Sequence, residues 1–286
     1  MPRIILATCA KYPRLSASNS AYADALRSKG CDVQTPAWNE APIEAFLDSD
    51  LILLRQTWDY QDDPGGFAAW VARVSSLKGN IENPPELVIW NNDKRTLNEV
   101  TQSGVPVPPT CGLMPEAPAE MFSRLDSEKI VLKPAFGGSG TGVRLCSEAD
   151  FEGQLCDARR EAPGRPFLAQ AFLPEIAAGE WKITCIGGRV AFAVHAKPKP
   201  GEFRINSRFD PTIRVLQPPL GAVRAAEDIL AWIRRPLICC RIDGVMRGED
   251  FICTELELTD PDLHLDLFDT GAGLLAQATL DHLASG

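Results

Sequence analysis

The sequence predicts a mixed fold, an α/β unit with a parallel sheet followed by a strand-rich α+β region, on three observations. Apolar strand-like runs alternate with a helix-like segment up to Tyr60. Proline-marked connections interrupt the chain near residue 85. From residue 130 onward strand patterns dominate and reverse at glycines. At 286 residues and 45% hydrophobic composition the chain can bury a sizeable core, as one large domain or two smaller ones.

The elements follow in order. Residues 2–8, PRIILAT, read as a buried strand; AYADALRSKG reads as a helix stopped at Gly30; LILLRQTWDY is a second strand running into a polar turn. Strand, helix, strand implies parallel pairing, with ligands at the strand ends. Asn83-Pro84-Pro85 and Val105-Pro106-Val107-Pro108-Pro109 bracket the helix-like NNDKRTLNEVTQSG. The expected domains are therefore 1–85 and 86–286, the second divided into about 86–166 and 167–286. Within it, KIVLKP, FLAQAFL, WKITCIGGRVAFAVHAK with a Gly187-Gly188 turn, and ICCRIDGVMRGEDFICTELEL with a turn near Gly248 read as strands and hairpins. Helices are expected at 148–160, 222–234 and 271–283, and 196–214 as a polar loop.

Composition removes several classes of function. A net charge of −9 argues against a nucleic-acid surface. No apolar run approaches the roughly 18–20 residues that span a bilayer, and IILATCA is too short for a secretory signal. A cytoplasmic protein is expected, with a homo-oligomer left open. Nine cysteines, without a CxxC pair or zinc spacing, read as reduced buried thiols.

Three stretches carry chemistry. VLKPAFGGSGTGV sets Lys133 at the end of an apolar strand before Gly137, Gly138, Ser139 and Gly140. Glycines let the backbone approach an oligophosphate and offer N–H donors, while the lysine neutralises charge; the same glycines also suit an ordinary hairpin. It is neither a Walker A loop nor a dinucleotide fingerprint. In FLAQAFLPEIAAGEWKI, Gln170, Ala171, Phe172 and Leu173 could present an amide and backbone groups to an adenine edge, with Glu180 for ribose hydroxyls and Glu175 its rival. In the third stretch, CTELELTDPDLHLDL, strand alternation puts Glu255 and Glu257 on one face and Leu256 and Leu258 on the other. A hairpin would bring Asp243 beside the two glutamates, and three carboxylates on one face suit Mg²⁺; a solvated edge is the other reading. Asp260 begins the following turn, where it could touch substrate, and Asp262 and Asp266 read as solvated.

In this order, the lysine–glycine segment, the strand holding Gln170 and the acid hairpin resemble the ATP-grasp superfamily across residues 86–286, with a Rossmann-like pre-ATP-grasp domain before it. QAFLPEIAAGEWKI and GEFRIN are similar to glutathione synthetase-like members. RQTWDY, WNNDKR, GEWK, GEFRIN and ELELTDP together look like the O-ureido-D-serine cyclo-ligase (D-cycloserine synthetase) group. The chain departs from many members in having Glu257 where they have Asn. The resemblance implies ATP and Mg²⁺, as two ions with Mn²⁺ a substitute, and a ligase forming an amide-type bond through an acyl phosphate. It implies Lys94 and Lys133 as phosphate lysines, and Gly137 to Gly142 as a loop closing over them. Asp243, Glu255 and Glu257 would be metal ligands. Arg241, Arg204 and Lys197 would stabilise charge in the transfer, with Asn206 and Arg208 in the same covering loop. Thr57, Trp58 and Asp59 at the first-domain strand end would meet a small amino-acid-like substrate, Asp59 facing its amine. An intermolecular ligase of the glutathione synthetase or D-alanine–D-alanine type, and an ATP-binding protein without turnover, remain as rivals.

Overall fold

Strands buried on both faces read as unbroken apolar runs, and two such runs build the first sheet. In the computed structural model, which describes residues 1–77, 80–113 and 118–285, β1 (Arg3–Thr8), β2 (Asp32–Gln34), β3 (Leu51–Gln56) and β4 (Ile81–Glu82) pair in parallel in the order β2-β1-β3-β4. Helix α1 (Ala17–Ser28) starts at Ser16, whose hydroxyl accepts the Asn19 N–H, and buries Tyr22, Ala23 and Leu26. A short α2 (Glu44–Leu47) precedes α3 (Pro64–Leu77). Helix α3 is absent from the expected elements because Pro64-Gly65-Gly66 imitates a turn; Phe67, Val71 and Val74 fold it onto the sheet.

Beyond α4 (Pro85–Asn91) the expected helix over NNDKRTLNEVTQSG is instead a 3₁₀ segment, Lys94–Ser103, started by the Asp93 side chain on the Arg95 N–H. β5 (Thr110–Gly112), β6 (Ile130–Pro134), β7 (Arg144–Cys146) and β8 (Phe167–Ala171) form an antiparallel sheet ordered β5-β8-β6-β7. Helices α5 (Pro118–Arg124) and α6 (Phe151–Glu161) cover it through Met121, Phe122, Phe151 and Leu155.

The largest sheet holds β9 (Glu180–Ile186), β10 (Arg189–Lys197), β11 (Thr212–Val215), β12 (Cys239–Arg247) and β13 (Asp250–Glu257), ordered β11-β10-β9-β12-β13. Strand β11 and a 3₁₀ turn at Ser207–Phe209 lie inside 196–214, which was expected to be loop. All four β11 residues are exposed on the sheet edge, so no buried alternation announces the strand. Helix α7 (Leu220–Ile233) packs Ala222, Ala226 and Ile229 on Ile183, Cys240, Ile242, Leu256 and Leu258.

The last helix, α8 (Gly271–Ser285), returns to the first sheet. Tyr22 Oη and Thr279 Oγ1 are 2.6 Å apart, and Leu265, Leu275 and Ala276 share a core with Ile4, Leu6 and Leu26. The Asn83 amide donates to the carbonyls of Cys239 and Leu258 at 2.8 and 2.7 Å, tying the segment after β4 to the start of β12 and the end of β13. Among the described residues no helix is long and apolar enough to cross a membrane.

Candidate active site

One face of the β9-β12-β13 strands is a lattice of alternating charge. Register sets Lys182 opposite Asp243 and Asp243 opposite Glu255, while Arg241 lies opposite Glu257. Residues directly opposite share a face, so unlike charges are neighbours across the strands. Lys182 Nζ reaches Asp243 Oδ2 at 2.6 Å and Glu180 Oε2 at 3.1 Å. Arg241 donates through Nε to Asp243 Oδ1 at 2.7 Å and also pairs with Glu257. Glu255 pairs with Lys94, and Thr254 Oγ1 lies 2.6 Å from Glu180 Oε1.

Electrostatics follow from this lattice. Burial opposes the charge of Asp243, which is 1% exposed, yet Arg241 and Lys182 outweigh it and hold the carboxyl well below its usual range. Burial pushes Glu257 up to about 7 against the pull of Arg241, with Glu255 and Asp243 adding to the rise. Burial lowers Lys133 to about 8, helped by nearby Lys94. Burial opposes the charge of Lys94 too, but Glu255 raises its pKa above the usual value.

The charged face opens on a cleft toward the β5-β8-β6-β7 sheet. Val131, Ala171, Phe172, Leu173 and Ile176 make its apolar end, while Lys94, Lys133, Glu180, Lys182, Glu255 and Glu257 line the polar end. The Lys94 N–H donates to the Ala135 carbonyl at 2.9 Å, which brings the two lysines together beneath the glycine segment. Asn91 secures this placement by donating to Leu256 O and accepting from Leu258 N. Gln170 was expected to offer its amide to an adenine; here its Oε1 accepts from Lys133 Nζ at 3.0 Å and its Nε2 donates to Thr110 at 2.8 Å, so the amide orients the lysine. Glu180 lines the cleft, whereas Glu175 lies outside it and pairs with Arg247.

Gly137 to Gly142 sit over the polar end beneath a second loop. Arg208 donates to Gly140 O at 2.6 Å and to Thr141 Oγ1 at 3.2 Å. Arg204 is held by Glu202 at 2.7 Å and stacks 3.9 Å above the Phe209 ring. Arg204 and Asn206 both line the cleft. Lys197, expected among these cations, is exposed at the end of β10 and lines neither cavity: the strand continues through it and turns it to solvent.

A second cavity adjoins the first and reaches the segment after β3. Trp58, Tyr60 and Gln61 line it together with Arg241, Asp260 and His264. Thr57 does not reach the cavity; its N–H and its hydroxyl, the latter at 2.9 Å, both hold Asp260 Oδ2. Asp59 does not face an amine: its oxygens accept from Trp38 Nε1 at 2.7 Å and Asn39 Nδ2 at 2.8 Å. Asp262, read as solvated, lines the cavity and accepts from His264 N at 3.1 Å, while Asp266 is exposed.

Residues 4–83 match the family described as D-cycloserine synthetase DcsG, N-terminal domain, and residues 108–216 match prokaryotic glutathione synthetase, ATP-grasp domain. These matches and the relatives below support an ATP-grasp ligase. The ligase is 27% identical over 280 residues to the cycloserine biosynthesis protein DcsG of Streptomyces lavendulae, covering 91% of this chain and 92% of that one. It is 29% identical over 257 residues to the glutathione synthetase of Nitrosomonas europaea, covering 87% and 76%. Its fold superposes on the crystal structure of D-cycloserine synthetase DcsG with a TM-score of 0.83 at 24% identity, over 98% of this chain and 99% of that one. For the D-alanine–D-alanine ligase of Bacillus anthracis the TM-score is 0.72 at 13% identity, over 100% and 98%.

ATP-grasp ligases use ATP and Mg²⁺, and the residues present suit both. Asp243, Glu255 and Glu257 each offer a carboxylate oxygen, all within 4.8 Å of one another, a hard donor set for a small divalent cation. The cleft pairs an apolar end for a base with lysines and glycine backbone for phosphates.

Two parts of the ligase site were not foreseen. Lys182 has no role in the sequence reading, although it lies two residues after Glu180 and strand alternation puts both on one face. Gln61 directly follows RQTWDY and His264 lies within CTELELTDPDLHLDL, yet neither was given a role.

Proposed function

We propose that the ligase activates the carboxylate of a small amino-acid-like substrate with Mg²⁺-ATP and closes an amide-type bond onto a nitrogen of the same molecule. The observation that carries this reading is that both cavities share Lys94, Lys133, Lys182, Glu255 and Glu257, so one cavity's phosphate end opens on the other. When bound, Mg²⁺-ATP supplies the transferable phosphoryl group and screens its charge.

The chain's residues position and neutralise. Lys94 and Lys133 hold phosphate oxygens, the latter oriented by Gln170. The apolar wall at Ala171 to Leu173 holds the base and Glu180 the ribose. Asp243, Glu255 and Glu257 would hold the metal, in two ions because a triphosphate carrying two divalent cations adds little net charge to a cluster already paired acid to base; Mn²⁺ should substitute. Arg241, which lines the second cavity, stabilises the negative charge of the reacting carboxyl group, and Arg204 and Asn206 cover the phosphates. Catalysis is then placement and charge stabilisation, without a covalent protein nucleophile. The substrate carboxylate becomes an acyl phosphate, and attack by the internal nitrogen expels phosphate.

The resemblance to cycloserine-forming relatives favours O-ureido-D-serine and an isoxazolidinone product. ADP release from purified protein with Mg²⁺-ATP is the test. Turnover with one organic substrate supports the cyclo-ligase, turnover only after an amine is added supports an intermolecular ligase, and tight ATP binding without ADP formation across the panel rejects catalysis.

A further inference from the structure

We infer that Asp260 and Gln61 form a subsite for the ammonium group of an α-amino acid substrate. The inference rests on the ligase reading and specifies which substrates its second cavity accepts. Asp260 is 7% exposed, and Thr57 occupies only its Oδ2; Oδ1 is buried with no hydrogen-bond partner. Gln61 is 9% exposed, with Nε2 donating to Trp58 O at 3.0 Å and Oε1 buried and unpartnered. Both residues line the second cavity, so its wall carries two unsatisfied acceptors.

Buried acceptors without donors are costly, and only a ligand that donates into them repays that cost. The missing partner must bring N–H or O–H groups, and a carboxylate selects a cation. The buried Arg55, whose charge acts on Asp260, already donates to Asn19 Oδ1 at 3.1 Å and Pro261 O at 3.0 Å. Among the described residues no lysine or arginine forms an ion pair with Asp260. Burial keeps His264, whose Nε2 is also unpartnered in this cavity, below its usual pKa, so a neutral imidazole faces the site. The same cavity is also lined by Arg241, Lys133 and Lys182. A cavity that holds both cations and free acceptors matches a zwitterion, with its carboxylate toward the cations and its ammonium at Asp260.

The test uses Asp260→Asn, which keeps an oxygen for Thr57 but turns an N–H donor to the cavity. Binding of O-ureido-D-serine and of free D- and L-amino acids is titrated calorimetrically against the matching 2-hydroxy acids, on whole protein loaded with Mg²⁺ and a non-hydrolysable ATP analogue. Wild type should prefer an amino acid over its hydroxy acid by at least about tenfold, and D260N should lose that preference with nucleotide affinity unchanged. If D260N misfolds by thermal melting, Gln61→Met serves, with the preference reduced about threefold to tenfold. Equal binding of amino and hydroxy acids, no amino acid bound, or a preference undiminished in the folded variant overturns the subsite. ADP release measured in parallel on wild type reports separately on the ligase reading.

Discussion

The two cavities meet at the same carboxylates yet are built on opposite principles. On the β9-β12-β13 face every acid has a basic partner: Asp243 with Lys182 and Arg241, Glu180 with Lys182, Glu257 with Arg241, Glu255 with Lys94. In the second cavity Asp260, Gln61 and His264 each keep a buried polar atom without a partner. A self-paired lattice holds its geometry with or without ligand. An unpaired wall waits for one, and so carries selectivity.

The largest effect that would break this contrast is expected at Lys182. Lys182→Met leaves Glu180 as a buried acid without a basic partner and Asp243 with Arg241 alone, and should cost about 3–5 kcal/mol of stability in urea unfolding; an unchanged midpoint would show that the lattice is not electrostatically locked. Glu255→Gln removes a candidate metal oxygen and the partner of Lys94, and should lower kcat by about 10²–10³-fold in ADP release. Gly140→Ala comes next. Its φ is +69°, and a Cβ would stand 2.7 Å from Asn206 Oδ1 and Phe209 Cε2, so about 1–3 kcal/mol of strain should appear as a raised KM for ATP. Thr57→Val frees Asp260 of one hydrogen bond and should cost about 1 kcal/mol in thermal unfolding. Lys197→Ala should leave activity within about twofold, since an exposed residue outside both cavities has only a surface role.

How much of this was legible depends on whether a residue's partners lie nearby along a strand. Glu255, Glu257 and Asp243 could be placed together because strand alternation and one hairpin suffice, and Leu256 and Leu258 went to the packed face for the same reason. Asp59 was misread because its partners, Trp38 and Asn39, come from a connection folded over the end of the first sheet. Gln170 was placed correctly in the cleft but given the wrong neighbour, since Lys133 pairs with it only through the β6–β8 contact. Asp260 and Gln61 stand out only when every donor and acceptor around them is known, and one chain read in order does not supply that.

The central claim is transfer of phosphate onto the substrate carboxylate. The measurement is turnover of O-ureido-D-serine labelled with ¹⁸O in its carboxylate, with Mg²⁺-ATP and no added amine, followed by mass analysis of the released phosphate. An acyl phosphate predicts that each phosphate carries an oxygen from the substrate. Unlabelled phosphate accompanying product formation would contradict it.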